Sequence, residues 1–246
     1  VINTNTRCIL PVHLYGQCAE MDKIHRIADA HNLYVVEDCA QAHGATYNKQ
    51  KAGSFSNASA FSFYPSKVLG TYGDGGIVIT NKEQLKDRLK RLRFYGMDDT
   101  STAQEHGYNS RLDEIHAAIL RKKLTRLEEY ISSRRTLAER YRDALADSNI
   151  IQPYVSANCA HVYYLYVCRH PDRDRIIAEL RKKDIHLNVN YPQPIHLMTG
   201  YRYLGYGDRD LPNTERAARE IFSLPIHPTL TVKDQDRVIE ALLAVA

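Results

Sequence analysis

Two apolar strands that each lead into a polar group constrain the fold most strongly. The strand predicted over residues 33–36 runs into Asp38, and the strand predicted over 59–63 leads into the loop that carries Lys67. The first hundred residues follow the order strand, helix, strand, strand, strand, helix, with strands predicted at 8–14, 33–36, 59–63 and 76–80 and helices at 21–30 and 82–94. This order predicts an α/β fold with a mostly parallel sheet, in which the strand ends meet at one edge.

The second half of the chain predicts a smaller α+β unit. Residues 111–147 contain no Pro or Gly and have a period near 3.6, which is typical of one long helix or of two joined helices that bridge two domains. Beyond Pro153 the pattern predicts a strand at 161–168, extended segments at 188–194 and 224–228, and helices at 171–184, 213–222 and from Thr231 to about Val245. We therefore place a large domain at residues 1–125 and a small C-terminal domain at residues 126–246.

Composition narrows the classes of function. The chain is 43% hydrophobic and 25% charged, as expected of a globular protein, and its net charge of +4 is too small to indicate a nucleic-acid partner. The five cysteines are odd in number and lack CxxC spacing, so we predict neither a disulfide framework nor a metal site. No apolar run reaches the roughly 18 residues of a membrane span, and the first residues lack a signal-peptide pattern. We expect a cytoplasmic protein.

Lys67 and Asp38 are the strongest candidates for chemistry. A lysine and an aspartate at one sheet edge suit a pyridoxal 5′-phosphate site, because the lysine forms a Schiff base and the carboxylate keeps the pyridine nitrogen protonated. Gly70 and the glycines after it let the backbone approach a ligand, and Ser62 stands where a hydroxyl can bond a phosphate oxygen. Two alternatives stay open, in which Lys67 is a surface lysine and Asp38 is the N-cap of a following helix.

Seven motifs in a fixed order resemble those of one family. They are PVHLYGQ at 11–17, EDCAQAHGA at 37–45, FSFYPSK at 61–67, GDGG at 73–76, NSRLDE at 109–114, YPQPIH at 191–196 and SLPIHP at 223–228. Each motif alone is weak, but the ordered set is specific and resembles the DegT-type nucleotide-sugar aminotransferases, which are fold type I pyridoxal phosphate enzymes. The resemblance covers nearly the whole chain. It implies the large cofactor-binding domain of that fold type, N-terminally incomplete, followed by a smaller α+β domain.

The resemblance also implies roles for residues near the cofactor. Lys67 would form the Schiff base and then move a proton between the substrate carbon and the cofactor, while Asp38 would pair with the pyridine nitrogen. Gln41 would contact the ring or its phenolic oxygen, and Ser62 would bind the phosphate. Asn109 would reach the phosphate of the neighbouring subunit's cofactor, so that a homodimer shares its active sites. For Asn109, a helix cap is the structural alternative.

Three further residues are implied on the substrate side. Arg111 is a candidate for binding a carboxylate or diphosphate, because a guanidinium fork suits both, and Tyr191 and His196 would line the sugar pocket. A salt bridge at a helix start stays open for Arg111, and a structural role stays open for His196. His43 is either a partner of Asp38 or a structural histidine.

Some features depart from the family's pattern. Val68 and His116 stand where asparagine and glutamine are common, and Asn190 stands where histidine often precedes Tyr-Pro, which leaves the sugar substrate in question. Family members are also longer, and the resemblance begins inside their large domain. We therefore expect a fragment without the N-terminal third, which would supply helix N-terminal amides to the cofactor phosphate.

The leading functional prediction is a transaminase that moves an amino group, from glutamate by resemblance, to a keto group of a nucleotide-linked deoxysugar. Amination at C3 is weakly favoured over C4, and such products feed surface polysaccharides or antibiotic glycosides. A sugar 3-dehydratase on the same scaffold is opposed by Lys67, because those relatives carry histidine at that position. A non-catalytic, regulatory or remnant paralogue is the alternative from another class.

Overall fold

The contacts of the chain divide it into two units. The computed structural model describes residues 1–246. The first unit comprises Val1–Ser132 and Val155–Tyr164, and the second comprises Ser133–Tyr154 and Leu165–Ala246. The short segment Val155–Tyr164 therefore packs with residues that are distant from it in sequence. The predicted domain boundary between residues 125 and 126 stays a prediction.

The first unit is built on a four-stranded mixed sheet. Its elements, in chain order, are β1 (Cys8–Ile9), α1 (Met21–Ala30), β2 (Tyr34–Asp38), β3 (Thr46–Tyr47), β4 (Gln50–Lys51), β5 (Ala58–Ser62), β6 (Gly76–Ile79), α2 (Glu83–Leu92), α3 (Glu114–Leu124), the start of α4 (Leu127–Ala144) and β7 (Cys159–Ala160). The strand order is β1-β2-β5-β6; the first three strands are parallel and β6 is antiparallel to β5. The prediction of an α/β fold with a mostly parallel sheet is confirmed.

A buried cluster joins the sheet to the helices of this unit. Met21 and Ala28 of α1 pack with Val35 of β2, and Ile131 of α4 and Val162 of the returning segment complete the same cluster. Full burial of the methionine, valine and isoleucine side chains among them contributes about 1.5–3 kcal/mol each. The core thus holds α1, β2 and residues 155–164 against one another and fixes the strand ends on which the site is built.

Most helices form where the sequence pattern predicts them, whereas one short hairpin was not predicted. Residues 111–147 form two helices, α3 and α4, as one of the two predicted alternatives had it. The β3–β4 hairpin was not predicted, because each strand has only two residues and offers no period. Thr231 caps the last helix as predicted, accepting a hydrogen bond from the Asp234 amide at 3.1 Å.

The second unit is a smaller α+β arrangement. It contains β8 (Tyr166–Arg169), α5 (Arg173–Lys182), α6 (Pro212–Glu220), β9 (Ile221–Leu224) and α7 (Val232–Leu243). The helix predicted over 213–222 was wrong at its end, because Ile221 and Phe222 belong to β9, whose four residues are all buried against β8 in an antiparallel pair. No helix in either unit combines the length and apolar character that a membrane crossing requires. All five cysteines are free.

Candidate active site

The ends of two neighbouring strands define the site. Asp38 is the last residue of β2, Ser62 is the last residue of β5, and the parallel register pairs Asp38 with Ala60. The chain then leaves the sheet in the loop 63–75 and returns at Gly76, which pairs with Ser62. Lys67 lies in that loop, so the sheet brings Asp38, Ser62 and the lysine loop to one edge, as the sequence predicted.

Asp38 is half-buried and rigidly held through its backbone. Its amide donates to the Pro11 carbonyl at 2.9 Å, and its carbonyl accepts from the His13 amide at 3.0 Å. One carboxylate oxygen accepts from the amide of Ala40 at 2.9 Å, which closes a turn and not the start of a helix. The carboxylate therefore stands at the strand end in a fixed orientation.

Gln41 ties this strand end to a second loop. Its side chain is buried, and its Oε1 accepts from the amide of Tyr15 at 2.6 Å. Tyr15 adopts a left-handed conformation with φ of 59° in the tight turn Leu14–Gly16. The glutamine thus fixes the loop that follows β1 against the residues that follow β2.

Ser62 and Lys67 offer a hydroxyl and an amine at the same edge. The Ser62 Oγ accepts from the Tyr64 amide at 3.2 Å, which leaves its O–H proton to donate. Lys67 is half-buried, and its Nζ stands 4.7 Å from the centroid of the Tyr164 ring. The Tyr164 hydroxyl in turn lies 3.1 Å from the Oγ of Ser66.

His43 is a buried imidazole beside this lysine. The ring packs against Phe61 and Phe63, with centroids 5.2 and 6.0 Å away. The Ser62 backbone lies near the ring, but neither ring nitrogen makes a hydrogen bond of normal geometry within the protein. Burial, and then the positive charge of Lys67, lowers the pKa of His43 from 6.5 to about 4. The imidazole is therefore neutral at physiological pH.

These side chains fit pyridoxal phosphate. Buried polar atoms seldom lack a hydrogen bond of normal geometry, so the ring nitrogens of His43 offer a hydrogen bond to a polar ligand. The donor set also matches the cofactor group by group. A carboxylate suits its pyridine nitrogen, an amide its phenolic oxygen, a hydroxyl its phosphate and an amine its aldehyde.

Glu37, the residue before Asp38 in β2, is the centre of a buried hydrogen-bond network. Its carboxylate accepts from His13 Nε2 at 2.8 Å and from the amides of Gly53 and Phe55 and the hydroxyls of Ser56 and Ser59 at 2.8–3.0 Å. Burial by itself would raise its pKa, but the bonds from His13, Gly53 and the two serines lower it to about 2. His13 Nδ1 accepts from the Ala19 amide at 3.1 Å, so Nε2 carries the hydrogen and donates the hydrogen bond to Glu37.

The same network explains a cluster of metal-ligand residue types. Side-chain atoms of His13, Glu37 and Cys39 lie within 4.8 Å of one another and are buried. The carboxylate oxygens accept five hydrogen bonds from N–H and O–H donors and one from the Cys39 thiol at 3.8 Å, and burial raises the pKa of that thiol well above its usual range. The cluster therefore functions as a structural carboxylate site.

Asn109 and Arg111 lie together on an exposed surface of the first unit. The Arg111 Nε donates to the Asn109 Oδ1 at 3.1 Å, and the guanidinium stands 5.7 Å from the centroid of Phe94. Neither residue is hydrogen-bonded to Lys67, Asp38 or Ser62. Their predicted roles toward a partner subunit and toward substrate stay predictions.

Tyr191 and His196 belong to the second unit. Tyr191 is half exposed, whereas His196 is buried and its Nε2 lies 3.2 Å from Glu215 Oε1. Glu215 also accepts from the amides of Arg209 and Leu211; these bonds, with that from His196, lower its pKa despite the opposing effect of burial. His196 thus holds a loop in place, and the sugar-pocket role of both residues stays a prediction.

Sequence reasoning missed Tyr164 and the His13–Glu37 pair. His13 interrupts an apolar run, 9–14, which is a signal that could have marked a buried polar contact. Tyr164 is one of 17 tyrosines and lies almost a hundred residues after Lys67, so no local pattern distinguishes it. Only the tertiary packing brings Tyr164 and Lys67 together.

Known proteins match the chain in both sequence and structure. The sequence model described as the DegT/DnrJ/EryC1/StrS aminotransferase family matches residues 1–243. The dTDP-3-amino-3,4,6-trideoxy-alpha-D-glucose transaminase of Micromonospora megalomicea subsp. nigra is 52% identical over 98% of this chain and 66% of that protein. A pleiotropic regulatory protein of Geobacillus stearothermophilus is 40% identical over 98% of this chain and 66% of that protein.

A solved structure confirms the fold. The crystal structure of S. venezuelae DesV in complex with a ketimine intermediate matches with a TM-score of 0.96 and 41% identity, over 99% of this chain and 66% of that chain. The chain thus spans 66% of the length of each of these relatives.

Proposed function

Because the chain belongs to the DegT/DnrJ/EryC1/StrS aminotransferase family, we propose that it is a pyridoxal phosphate-dependent transaminase acting on a nucleotide-linked keto-deoxysugar. The observation that carries the proposal is the meeting of Asp38, Ser62 and the Lys67 loop at one strand edge. A relative that is 52% identical and named as a nucleotide-sugar transaminase supports the same conclusion.

The residues of the site have distinct tasks in this proposal. Pyridoxal phosphate, when bound, supplies the aldehyde that takes up the amino group and the ring that accepts the electron pair. Lys67 Nζ holds and releases the proton that moves at the reacting carbon. Asp38 keeps a proton on the pyridine nitrogen through a charge-assisted bond, and Ser62 donates to the phosphate. Gln41, which lies just after β2, contacts the pyridine ring of the cofactor.

We also propose the keto position, the amino donor and the substrate-binding residues, which family membership alone does not specify. The Micromonospora relative is named for a 3-amino sugar linked to dTDP, which favours amination at C3 over C4. Glutamate is the proposed donor, and Arg111, Tyr191 and His196 are the proposed substrate-binding residues. Asn109 is proposed to serve the partner's site in a cytoplasmic homodimer.

The test combines trapping of the cofactor with identification of the product. Purified chain mixed with pyridoxal phosphate and reduced with borohydride should carry the cofactor on Lys67, located by peptide mass spectrometry. With glutamate and a panel of 3-keto and 4-keto dTDP-sugars, a mass shift of keto to amine should appear with the 3-keto compounds.

The Lys67→Ala variant tests the central residue. We expect turnover to fall at least about 10²–10⁴-fold, because a positioned proton-transfer group contributes that much. Lys49→Ala, which removes an exposed lysine from the β3–β4 turn, is the matched control and should leave turnover unchanged. Wild-type turnover in Lys67→Ala would refute the assignment.

A non-catalytic regulatory role is the second candidate function. The specific observation that favours it is the 40% identity to a protein named as a pleiotropic regulator. The two candidates give different results in the trapping experiment. A chain that carries no reducible cofactor adduct and forms no amino-sugar would favour the regulatory role.

A further inference from the structure

Tyr164 lies against the side chain on which the proposed function depends. The Lys67 ammonium stands 4.7 Å from the centre of the Tyr164 ring and forms no salt bridge. An ammonium that faces an aromatic ring is attracted by the negative face of the π system. The charge of Lys67 is therefore met by a ring and not by a carboxylate.

The ring of Tyr164 is held in place from two sides. Its hydroxyl lies 3.1 Å from the Oγ of Ser66, the residue before the lysine, and its ring packs against the core of the first unit. Its backbone lies against Gly16, where an added Cβ would come within 2.9 Å of the Tyr164 nitrogen. The amide of Val162 also donates to the Gly16 carbonyl at 2.9 Å. The Leu14–Gly16 turn thus fixes the backbone that carries the ring, and the lysine loop contacts the ring and its hydroxyl.

A cation–π contact is weak enough for the Lys67 amine to break it when the amine has to react. Cation–π attraction changes an equilibrium by about 2- to 30-fold, which is enough to favour one orientation of the amine. A buried pairing with a carboxylate is much harder to break, because it leaves an uncompensated charge behind. A ring can therefore orient the ammonium and still release it.

We propose that Tyr164 is a positioning residue that holds the Lys67 ammonium when this amine is not bound covalently. The contact orients Nζ and breaks when the amine loses its proton, without any covalent bond forming or breaking at the ring. This inference deepens the proposed function and rests on it for the catalytic role of Lys67. The contact itself belongs to the chain without its cofactor and can be tested there.

The experiment varies the electron density of the ring at constant shape. Position 164 is filled in turn with tyrosine, phenylalanine and mono-, tri- and pentafluoro-phenylalanine in the full chain. Each protein, without added cofactor, reacts briefly with acetic anhydride. Peptide mass spectrometry then gives the acetylation rate of Lys67 relative to that of the exposed Lys49. Circular dichroism confirms that each variant is folded.

We expect the acetylation rate of Lys67, and not that of Lys49, to rise with the number of fluorine atoms on the ring. Tyr164→Phe should stay within about 2-fold of wild type, because it keeps the ring and loses the hydroxyl with its bond to Ser66. Added fluorine should raise the Lys67 rate progressively, by about 2- to 30-fold at full substitution, because the electron-poor ring no longer holds the ammonium. A merely structural ring would give no such gradient.

Two results would overturn the proposal. One is a Lys67 rate that is equal across the fluorinated series, and the other is a rise that Lys49 matches. Because acetylation requires no cofactor, this experiment can succeed while borohydride trapping fails. In that case Tyr164 holds the lysine and the transaminase proposal is wrong.

Discussion

Two adjacent carboxylates show how strand geometry separates structural from chemical roles. Successive side chains of β2 point to opposite faces, so Glu37 is fully buried while Asp38 is half-buried at the edge. Five hydrogen bonds satisfy Glu37 and hold the loops around it. Asp38 uses one oxygen for its own turn, and the other oxygen is left to bond a ligand. The sequence places both carboxylates at a strand end, but the alternation of side chains along the strand determines that Asp38, and not Glu37, is accessible to a ligand.

At the same scale, His43 should make the stability of the chain depend on pH. Its folded pKa of about 4 lies below its ordinary 6.5, so the fold favours the neutral ring. This contribution is complete above pH 6.5 and is lost as the pH falls toward 4. Between pH 8 and pH 5 the loss amounts to about 2 kcal/mol. His43→Leu cannot be protonated and should not show this loss, which urea unfolding at both pH values would measure.

A control isolates the buried imidazole in this measurement. His106→Leu removes an exposed histidine, so the unfolding free energy of that variant should follow wild type at both pH values. The comparison uses the difference between variants and wild type, and other titrating groups therefore cancel. If His43→Leu and wild type lose the same stability between pH 8 and pH 5, the imidazole is not held neutral by the fold.

At the scale of elements, one glycine joins two loops that are far apart in sequence. Gly16 has a φ of 109°, and a Cβ added there would lie 2.9 Å from the Tyr164 nitrogen and from a Val162 methyl group. The Leu14–Gly16 turn can approach the segment 155–164 only because the side chain is absent. The packing of Tyr164, and through it of Lys67, therefore depends on this residue.

Gly16→Ala should lower the free energy of unfolding by about 1–3 kcal/mol, because it adds backbone strain and two steric conflicts. Gly200→Ala is the matched control, since nothing lies within 4 Å of a Cβ built there, and we expect a change within about 0.5 kcal/mol. Urea unfolding compares the two variants directly. Equal effects would mean that the close approach at Gly16 is not required.

The elements that could be predicted are those with a strong local signal. Helix Met21–Ala30 was predicted to the residue, because its apolar positions recur with helical spacing over ten residues. The end of α6 was misplaced, since Ile221 and Phe222 fit a helix by pattern but pair with β8 in the structure. Asp38, Ser62 and the Lys67 loop meet as predicted because parallel strands end at one edge. Tyr164 was missed because its contact depends on a long-range return of the chain.

At the scale of the whole molecule, the predicted site residues fall into separate groups. Asp38, Ser62 and Lys67 share a strand edge, whereas Asn109 and Arg111 are exposed and bond to each other. The proposed role of the exposed Asn109, binding a cofactor phosphate, requires an active site that is shared between two copies of the chain. In a closed symmetric dimer, each copy would then give Asn109 to the site that contains its partner's lysine.

Mixed dimers of two variants, each expected to lack activity on its own, test this arrangement. Lys67→Ala and Asn109→Ala chains carry different affinity tags, are co-expressed and are purified through both tags, so that only mixed dimers remain. If the site is shared, one site of each mixed dimer contains both substitutions and the other contains neither. Transaminase activity should therefore return to about half of the wild-type value per dimer. If each site is built from one chain, every site in the mixed dimer carries one defect, and activity should stay at the level of the single variants.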